Sequence, residues 1–295
     1  MPFGSAHDEL GFVPGNESVP VSPRSFALDC GSAPLVWITD NAKNRIVQFV
    51  ALSPSELLES IHVREGFRLR DLALRGCGDL WAILDETEGA IAPIGRLGPG
   101  RRLLLTDGAN RLYALALFGS QGSLEVSSPG SITQDQPELA GIWRVDAETG
   151  IVAAEPGLFV PPVSARDPTW IGVESHDGRT WTVTWSDAAG PLATRELRIR
   201  LIGGDGERIP VVAGILPQTR TTTGIAAFVQ VSSNRGGRGG DWYLEIPADP
   251  RGRIVFERLP EGGAYSDQAR HLAFGGDGRL YVMVTDPDGI WILAH

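Results

Sequence analysis

The sequence contains little that would mark a nucleic-acid-binding or membrane-spanning protein. Lys43 is the only lysine among 295 residues, and the formal net charge is −10. A negative surface repels a phosphate backbone, which disfavours extended nucleic-acid binding. No apolar run approaches the roughly 20 residues that a membrane helix needs. We therefore expect neither a nucleic-acid partner nor a membrane span.

Cysteine is also scarce, since only Cys30 and Cys77 are present. Two cysteines are too few for a disulfide framework or a cysteine-based metal cluster. Both follow predicted inner strands of neighbouring repeats, but a disulfide requires Cα atoms within about 7 Å of each other. We expect two free thiols, and pairing stays open.

The first residues, Met1–Ser5, lack the basic and apolar regions of a secretory signal. The sequence therefore leaves the compartment open. It would be secreted or periplasmic if a signal peptide has been removed, and cytoplasmic otherwise.

What the chain does contain is a repeated segment of the form Arg-x-apolar-Ala-apolar. The three close copies are Arg24–Leu28, Arg70–Leu74 and Arg270–Phe274. Each copy is followed by a polar turn and then by an apolar run that contains an aromatic residue. With weaker copies, the repeats start at positions 24, 70, 113, 169, 223 and 270. Strands that recur about every 40 to 50 residues are typical of propeller blades.

The repeat predicts an all-β fold: a six-bladed β-propeller with four-stranded antiparallel blades, forming a single domain over residues 1–295. The strands of the first blade are apolar on both faces, which suits sheets packed between neighbouring sheets. The last repeat ends one strand short, whereas residues 1–23 precede the first repeat. We expect this N-terminal segment, through apolar residues around Phe12, to supply the outer strand of the last blade and close the ring.

Several local assignments follow from the same pattern. In the second repeat, Ile91–Ile94 is predicted as the third strand, and in the fourth repeat residues 196–202 and 209–215 as the third and fourth strands. Residues Leu57–Val63 are predicted as the outer strand of the first blade, with a short helix opening at Ser53–Leu58 as the alternative. The glycine- and arginine-rich stretch Ser232–Gly240 is predicted to be a surface loop.

The segment Val36–Phe49 resembles an NHL repeat. It has an apolar strand ending in Asp40, a short Asn44-Arg45 turn and a Val-x-Phe strand. The resemblance is partial in the second and sixth repeats and weak in the third to fifth. It implies a six-bladed propeller more than an activity, because such propellers include partner-binding domains, RNA-binding domains, lyases and relatives of sugar lactonases. From the residues themselves, we expect Asp40, Asn44 and Arg45 to fasten the turn.

The best candidate site is at the repeated arginines. Arg24, Arg70 and Arg270 begin inner strands of blades that would be neighbours, with Asp71 and His271 beside them. Guanidinium groups around an apolar channel mouth suit a carboxylate or phosphate ligand. The alternative is that each arginine binds an adjacent blade and has only a structural role.

Carboxylates are predicted on the same face as the arginines. They are Asp85, Glu86, Glu88, Asp187, Asp286 and Asp288. Such oxygens suit a divalent cation such as calcium, although solvated turn charges are the simpler interpretation. We predict no cofactor, while a bound calcium ion would be compatible with the sequence.

A catalytic residue cannot be assigned. The chain has only five histidines, and no nucleophile motif is present. We therefore expect a monomeric binding or interaction module that presents one face, including the insertion Ser127–Gly141, to a protein partner or a small anionic ligand. The alternative is a metal-dependent hydrolase or lyase, similar to a lactonase, with its site over the central channel.

Overall fold

The computed structural model describes the chain in twenty segments, and every structural statement below concerns these. They are residues 1–13, 21–29, 35–50, 53–63, 67–75, 78–86, 94–97, 103–105, 116–120, 123–129, 140–146, 150–155, 170–175, 179–187, 189–202, 208–221, 223–233, 237–260, 271–286 and 288–295. All regular structure in them is β-strand. None of the described segments forms a helix of the length and apolarity that crossing a membrane requires.

The described strands form six antiparallel sheets, in two compact units. The first unit consists of Met1–Gly157 and Gly262–His295, and the second of Leu158–Glu261.

The first unit contains four sheets. Sheet one consists of β1 Phe26–Leu28, β2 Leu35–Asp40, β3 Arg45–Val50 and β4 Ser53–His62. Sheet two consists of β5 Phe67–Arg75, β6 Asp79–Glu86, β7 Ile94–Leu97 and β8 Leu103–Leu105. Sheet three consists of β9 Ala116–Ser120, β10 Ser123–Pro129, β11 Ala140–Asp146 and β12 Gly150–Glu155. Sheet six consists of β21 Leu272–Phe274, β22 Leu280–Asp286 and β23 Gly289–Ala294.

The second unit contains the remaining two sheets. Sheet four consists of β13 Trp170–Ser175, β14 Thr180–Asp187 and β15 Gly190–Arg198. Sheet five consists of β16 Arg200–Ile202, β17 Arg208–Arg220, β18 Gly224–Ser233, β19 Gly237–Pro247 and β20 Val255–Arg258. The described sheets therefore hold three, four or five strands, and the prediction of uniformly four-stranded blades is only partly met.

In the first unit the last sheet of the chain lies beside the first. Strand β1 contacts both β5 of sheet two and β21 of sheet six, and β9 of sheet three also contacts β5. The sheets therefore follow one another in the order six, one, two, three. The blade count and the closure of the ring stay predictions.

Both faces of sheet one are buried. Successive side chains of a strand point to opposite faces of the sheet, and here the side chains on each face pack into a core cluster. Phe26, Ile38 and Phe49 belong to a core cluster that also contains Tyr281 and Met283 of sheet six. Residues at the alternate positions of the same strands pack the other way. Ala27, Trp37 and Ile46 belong to a second cluster with Leu72, Leu80 and Ala82 of sheet two. The prediction of apolar packing on both faces is confirmed for this sheet.

The first residues of the chain pair with the last strand. Pro2 forms an antiparallel bridge with Gly289. The Met1 α-amino group donates to the Ile290 carbonyl over 2.9 Å, and the Ile290 N–H donates to the Met1 carbonyl over 2.9 Å. Phe3 N–H also donates to the Asp288 carbonyl over 3.1 Å. The contact is shorter than the full outer strand that the sequence predicts.

The residues that pair with β23 are not those around Phe12. Leu10 is completely buried in the cluster between sheets one and six, and Phe12 stacks on Phe3 with ring centroids 4.9 Å apart. Gly11 N–H donates to the Asp40 carboxylate over 3.0 Å, which attaches this stretch to sheet one. The apolar patch thus packs through its side chains instead of adding a strand.

The strand assignment in the second unit differs from the prediction. Residues 196–202 do not form one strand, because β15 pairs with β14 whereas β16 pairs with β17. The predicted fourth strand at 209–215 is part of β17, which pairs with β18 of sheet five. The turn before β15 explains this difference. Gly190 has φ +131°, a conformation that favours glycine, so the third strand of sheet four begins at Gly190 and not at residue 196.

The core of the second unit joins sheets four and five. Trp185 is completely buried among residues of both sheets, and its indole N–H donates to the Pro247 carbonyl over 2.7 Å. Arg195 lies over the Trp185 ring with its guanidinium carbon 5.6 Å from the centroid, and it donates to the Gly252 carbonyl over 2.9 Å. A cation over an indole face adds favourable electrostatic energy to this packing.

Three smaller predictions are corrected. Residues 53–58 lie in strand β4 and not in a helix. Within Ser232–Gly240, Ser232 pairs with Arg238 and Ser233 with Gly237, so most of this predicted loop is a hairpin whose backbone groups bond across the strands. The third strand of sheet two begins at Ile94, and residues 91–93 lie outside the described part.

Candidate functional site

The candidate site lies where the inner strands of sheets one, two and six begin or bend. Ser25, Asp71 and His271 occupy the same position of the repeat, one residue after the repeated arginine. Ser25 and His271 also have matching backbone contacts, because their carbonyls accept from Thr39 N–H over 3.0 Å and from Met283 N–H over 2.9 Å.

A buried hydrogen bond connects sheets one and two at this position. Ser25 Oγ donates to Asp71 Oδ1 over 2.5 Å, and the Leu72 N–H donates to Ser25 Oγ over 3.1 Å and to Asp71 Oδ1 over 2.9 Å. Ser25 is 0% exposed and Asp71 1%. The Asp71 carboxylate therefore lies beneath the surface and holds β5 against the start of β1.

Arg70 is the extra residue of a β-bulge. In the pairing of β5 with β6, Leu69 lies opposite Leu84 and Asp71 opposite Ile83, which leaves Arg70 between them. Asn41 Nδ2 donates to the Leu69 carbonyl over 2.5 Å, so sheet one holds the residue on each side of Arg70. Bulges redirect a side chain out of the regular alternation, and Arg70 is half-buried.

Arg24 lies directly before this connection. Its N–H donates to Thr39 Oγ1 over 3.0 Å, and the Ser25 N–H donates to the same oxygen over 3.0 Å. Thr39 is completely buried, which fixes the backbone of Arg24 against β2. The Arg24 side chain is half-buried.

The Ser25–Asp71 hydrogen bond connects the residues that directly follow Arg24 and Arg70, and His271 lies directly before β21, which contacts β1. Arg24, Arg70 and His271 each make at least one further non-covalent interaction. Arg270 lies outside the described residues, as do Cys30 and Cys77.

The turn between β2 and β3 is a structural anchor. Arg45 Nε donates to Asp40 Oδ2 over 2.8 Å, with both side chains buried, and Asn44 adopts a left-handed φ of 49°. The expectation that Asp40 and Arg45 fasten the turn is confirmed, whereas the buried Asn44 Oδ1 has no hydrogen-bond partner among the described residues and Asn44 contributes only its backbone conformation.

The same turn also attaches the N-terminal segment, which the sequence did not predict. Arg45 donates to the His7 carbonyl over 2.7 Å and to the Glu9 carbonyl over 2.6 Å. Lys43 Nζ donates to the Ala6 carbonyl over 2.5 Å and to the Glu9 carbonyl over 2.7 Å. The only hint in the sequence was that Lys43 is the single lysine of the chain. The sequence does not indicate that its partners are backbone carbonyls of the N-terminal segment.

The predicted carboxylates that are described close their turns. Asp187 Oδ1 accepts from the N–H groups of Ala189 and Gly190 over 2.7 and 3.1 Å. Asp286 Oδ1 accepts in the same way from Asp288 and Gly289 over 2.8 and 2.9 Å. Asp288 is exposed. Glu88 and the side chains of Asp85 and Glu86 lie outside the described part.

Asp286 makes one more contact, with an exposed tryptophan. Trp291 Nε1 donates to Asp286 Oδ2 over 2.5 Å. This hydrogen bond, with smaller contributions from the two backbone donors, lowers the pKa of Asp286 below its ordinary value of 3.8. The carboxylate is therefore charged at neutral pH and orients the indole.

The second unit holds a polar cluster that the sequence did not predict. Glu245 accepts hydrogen bonds from three hydroxyl groups, those of Thr221 over 3.0 Å, Thr223 over 2.5 Å and Tyr243 over 2.9 Å. Burial raises the pKa of Tyr243, and the hydrogen bond and charge of Glu245 raise it further. Tyr243 thus stays a donor at physiological pH, and the cluster fixes the start of β18 against β19.

The described residues contain no group of three or more histidine, cysteine, aspartate or glutamate side chains arranged to hold a metal ion.

Comparison with known proteins supports the fold alone. The chain matches no model of a known protein family and no curated protein. Its structure is similar to the PQQ-bound aldose sugar dehydrogenase of Streptomyces coelicolor, with 14% identity, a TM-score of 0.51, and coverage of 96% of this chain and 95% of that one.

Two further solved structures resemble it at lower TM-scores. Virginiamycin B lyase from Staphylococcus aureus has 15% identity and a TM-score of 0.45, with 97% of this chain and 88% of the lyase covered. The Dos1 propeller has 10% identity and a TM-score of 0.42, with 92% and 68% covered. The chain has an all-β fold of the propeller type, and such a fold does not by itself define an activity.

Proposed function

We propose that this protein is a six-bladed, NHL-like propeller, closed by its N-terminal segment, that works as a binding module. Its ligand is a small carboxylate or phosphate compound, or an acidic group of a protein partner. The site consists of Arg24, Arg70, Arg270 and His271 at the mouth of the central channel, with Asp71 supporting them.

The observation that carries this proposal is the fixation of the bulge at Arg70. Asn41 holds the Leu69 carbonyl and Ser25 holds the Asp71 carboxylate. A guanidinium whose backbone is fixed on both sides loses less conformational entropy when it binds an anion. Bidentate recognition of carboxylates and phosphates depends on such an oriented fork.

The other members of the site contribute hydrogen-bond donors. Arg24 starts the neighbouring inner strand, and the His271 imidazole N–H can donate to an anion. Asp71 is too deeply buried to contact a ligand; its role is to hold β5 in place.

Calorimetric titration with citrate and with sulfate tests the proposal. We expect saturable binding to the wild-type protein, and single Arg24→Ala, Arg70→Ala and Arg270→Ala variants should bind several-fold more weakly. Because charged hydrogen bonds contribute about 1.5 to 3 kcal/mol, the loss should be at least tenfold for the best-placed arginine. The anion site would be refuted if the wild-type protein bound neither anion, or if all three variants bound the anions as tightly as the wild type.

The metal-dependent hydrolase or lyase is tested separately by metal analysis of the purified protein. Stoichiometric calcium or zinc would favour that alternative, since a binding module of the proposed type needs no ion.

A further inference from the structure

Among the described residues, the outer edge of β23 is paired along only part of its length. The Ile290 N–H and carbonyl both bond to Met1, so this residue points its backbone groups away from β22. Alternate residues of an antiparallel strand point their backbone groups to the same side. Ile292 and Ala294 therefore also direct one N–H and one carbonyl outward, and among the described residues no strand pairs with them there.

The side chains along this edge form a small apolar surface. Trp291 is 54% exposed and Leu293 36%, and both lie on the same face of β23. Ile292 points the other way and packs against the core between sheets one and six. The Asp286 carboxylate fixes the Trp291 indole, and a tryptophan with a fixed orientation is an effective anchor for a partner.

The edge also lacks the usual protection against strand addition. Natural edge strands carry charged residues, proline or bulges that prevent another strand from pairing. The segment Trp291–Ala294 has neither a charge nor a proline, and its pairing with β22 is regular.

We propose that Trp291–Ala294 is a docking site for an extended peptide segment of a partner protein, which adds to sheet six as an antiparallel strand. The chain's own residues Met1–Phe3 already add to this edge in that orientation, and the peptide continues their line along β23. It bonds to the backbone of Ile292 and Ala294. Its alternate side chains are apolar and contact Trp291 and Leu293, as in other cases of strand addition.

The test uses a defined probe, the capped peptide acetyl-Thr-Val-Thr-Val-Thr-Val-amide, titrated into the isotope-labelled full chain. The matched control is the same peptide N-methylated at every residue, which keeps the side chains but removes the backbone donors along both edges. We expect saturable amide shifts at Ile292 and Ala294 with the first peptide and none with the second. Trp291→Ala should weaken binding about tenfold, whereas Leu58→Ala, an exposed leucine of β4, should not change it.

Three outcomes of the titration would overturn the proposal. These are no shift at millimolar peptide, equal binding of the N-methylated peptide, or unchanged affinity of Trp291→Ala. Sedimentation of the protein without peptide tests whether a second copy of this chain occupies the edge instead. A dimer that Trp291→Ala dissociates would assign the edge to a second copy of this chain and exclude the peptide.

Discussion

Ser25 Oγ and Asp71 Oδ1 lie 2.5 Å apart in a buried hydrogen bond between the inner strands of two neighbouring sheets. The two residues occupy the same position of the repeat, 46 residues apart in sequence. One copy of the repeat therefore positions the next, at the residues that directly follow Arg24 and Arg70.

Ser25→Ala should destabilise the protein. It removes a donor from a carboxylate that is 1% exposed, and leaving a buried acceptor short of a partner costs about 1 to 3 kcal/mol. Urea unfolding measures the change, with the exposed Ser5→Ala as a control that should stay within about 0.5 kcal/mol. Equal stability of the two variants would mean that the buried hydrogen bond does not hold the sheets together.

Arg45→Ala should be more damaging than loss of an exposed arginine. Arg45 and Asp40 have side chains only 2% and 0% exposed, and removing one partner of a buried ion pair costs about 3 to 5 kcal/mol. Arg279, 63% exposed and 3.9 Å from Asp277, is the matched control; Arg279→Ala should cost less than about 1 kcal/mol. Similar unfolding midpoints for both variants would contradict the anchoring role of Arg45.

The local pattern of sheet one could be predicted because it depends on neighbours in sequence. Alternating apolar residues identify β2 and β3, and Asp40 and Arg45 face each other across a short turn. The bulge at Arg70 could not be predicted in this way, because contacts from Ser25 and Asn41 help to hold it. The attachment of residues 6–11 to Lys43 and Arg45 was missed for the same reason: the acceptors are backbone carbonyls, which every residue has.

Leu10→Ala should destabilise the first unit. Leu10 is completely buried between sheets one and six, and truncation of a buried leucine costs about 2 to 5 kcal/mol. Leu58→Ala is the control, because Leu58 is 45% exposed.

Deletion of residues 1–14 should cost at least as much as Leu10→Ala. If the deleted protein melts like the intact one, the N-terminal segment is dispensable and the closure hypothesis is wrong.

The Asp286–Trp291 contact predicts a specific dependence on pH. The pKa of Asp286 is lowered in the folded protein, chiefly by the Trp291 hydrogen bond. Its contribution to stability is thus fully present above the ordinary value of 3.8 and is lost as the pH falls through the lowered pKa. Wild type should be more stable than Asp286→Asn at pH 7, with a difference that narrows only below about pH 4. A difference that already narrows near pH 6 would point to another group.

The prediction of one strand at residues 196–202 was wrong, because the hydrophobic pattern continues across the point where one strand ends and the next begins. Residues 196–202 alternate as one strand would, yet β15 ends at Arg198 and β16 begins at Arg200 in another sheet. Alternation identifies which faces are apolar, but it does not identify the partner strand.

Thermal melting with and without citrate tests the binding site most directly, with Arg70→Ala compared against Arg68→Ala. Arg68 is an exposed arginine of the same strand, two residues away and outside the bulge. A ligand that binds only the folded state stabilises it by about 2.7 kcal/mol at 100 times its dissociation constant. We expect citrate to raise the melting temperature of wild type and Arg68→Ala but not of Arg70→Ala. No citrate effect on wild type, together with a loss of about 1 to 3 kcal/mol in Arg70→Ala, would show instead that Arg70 only ties the sheets together.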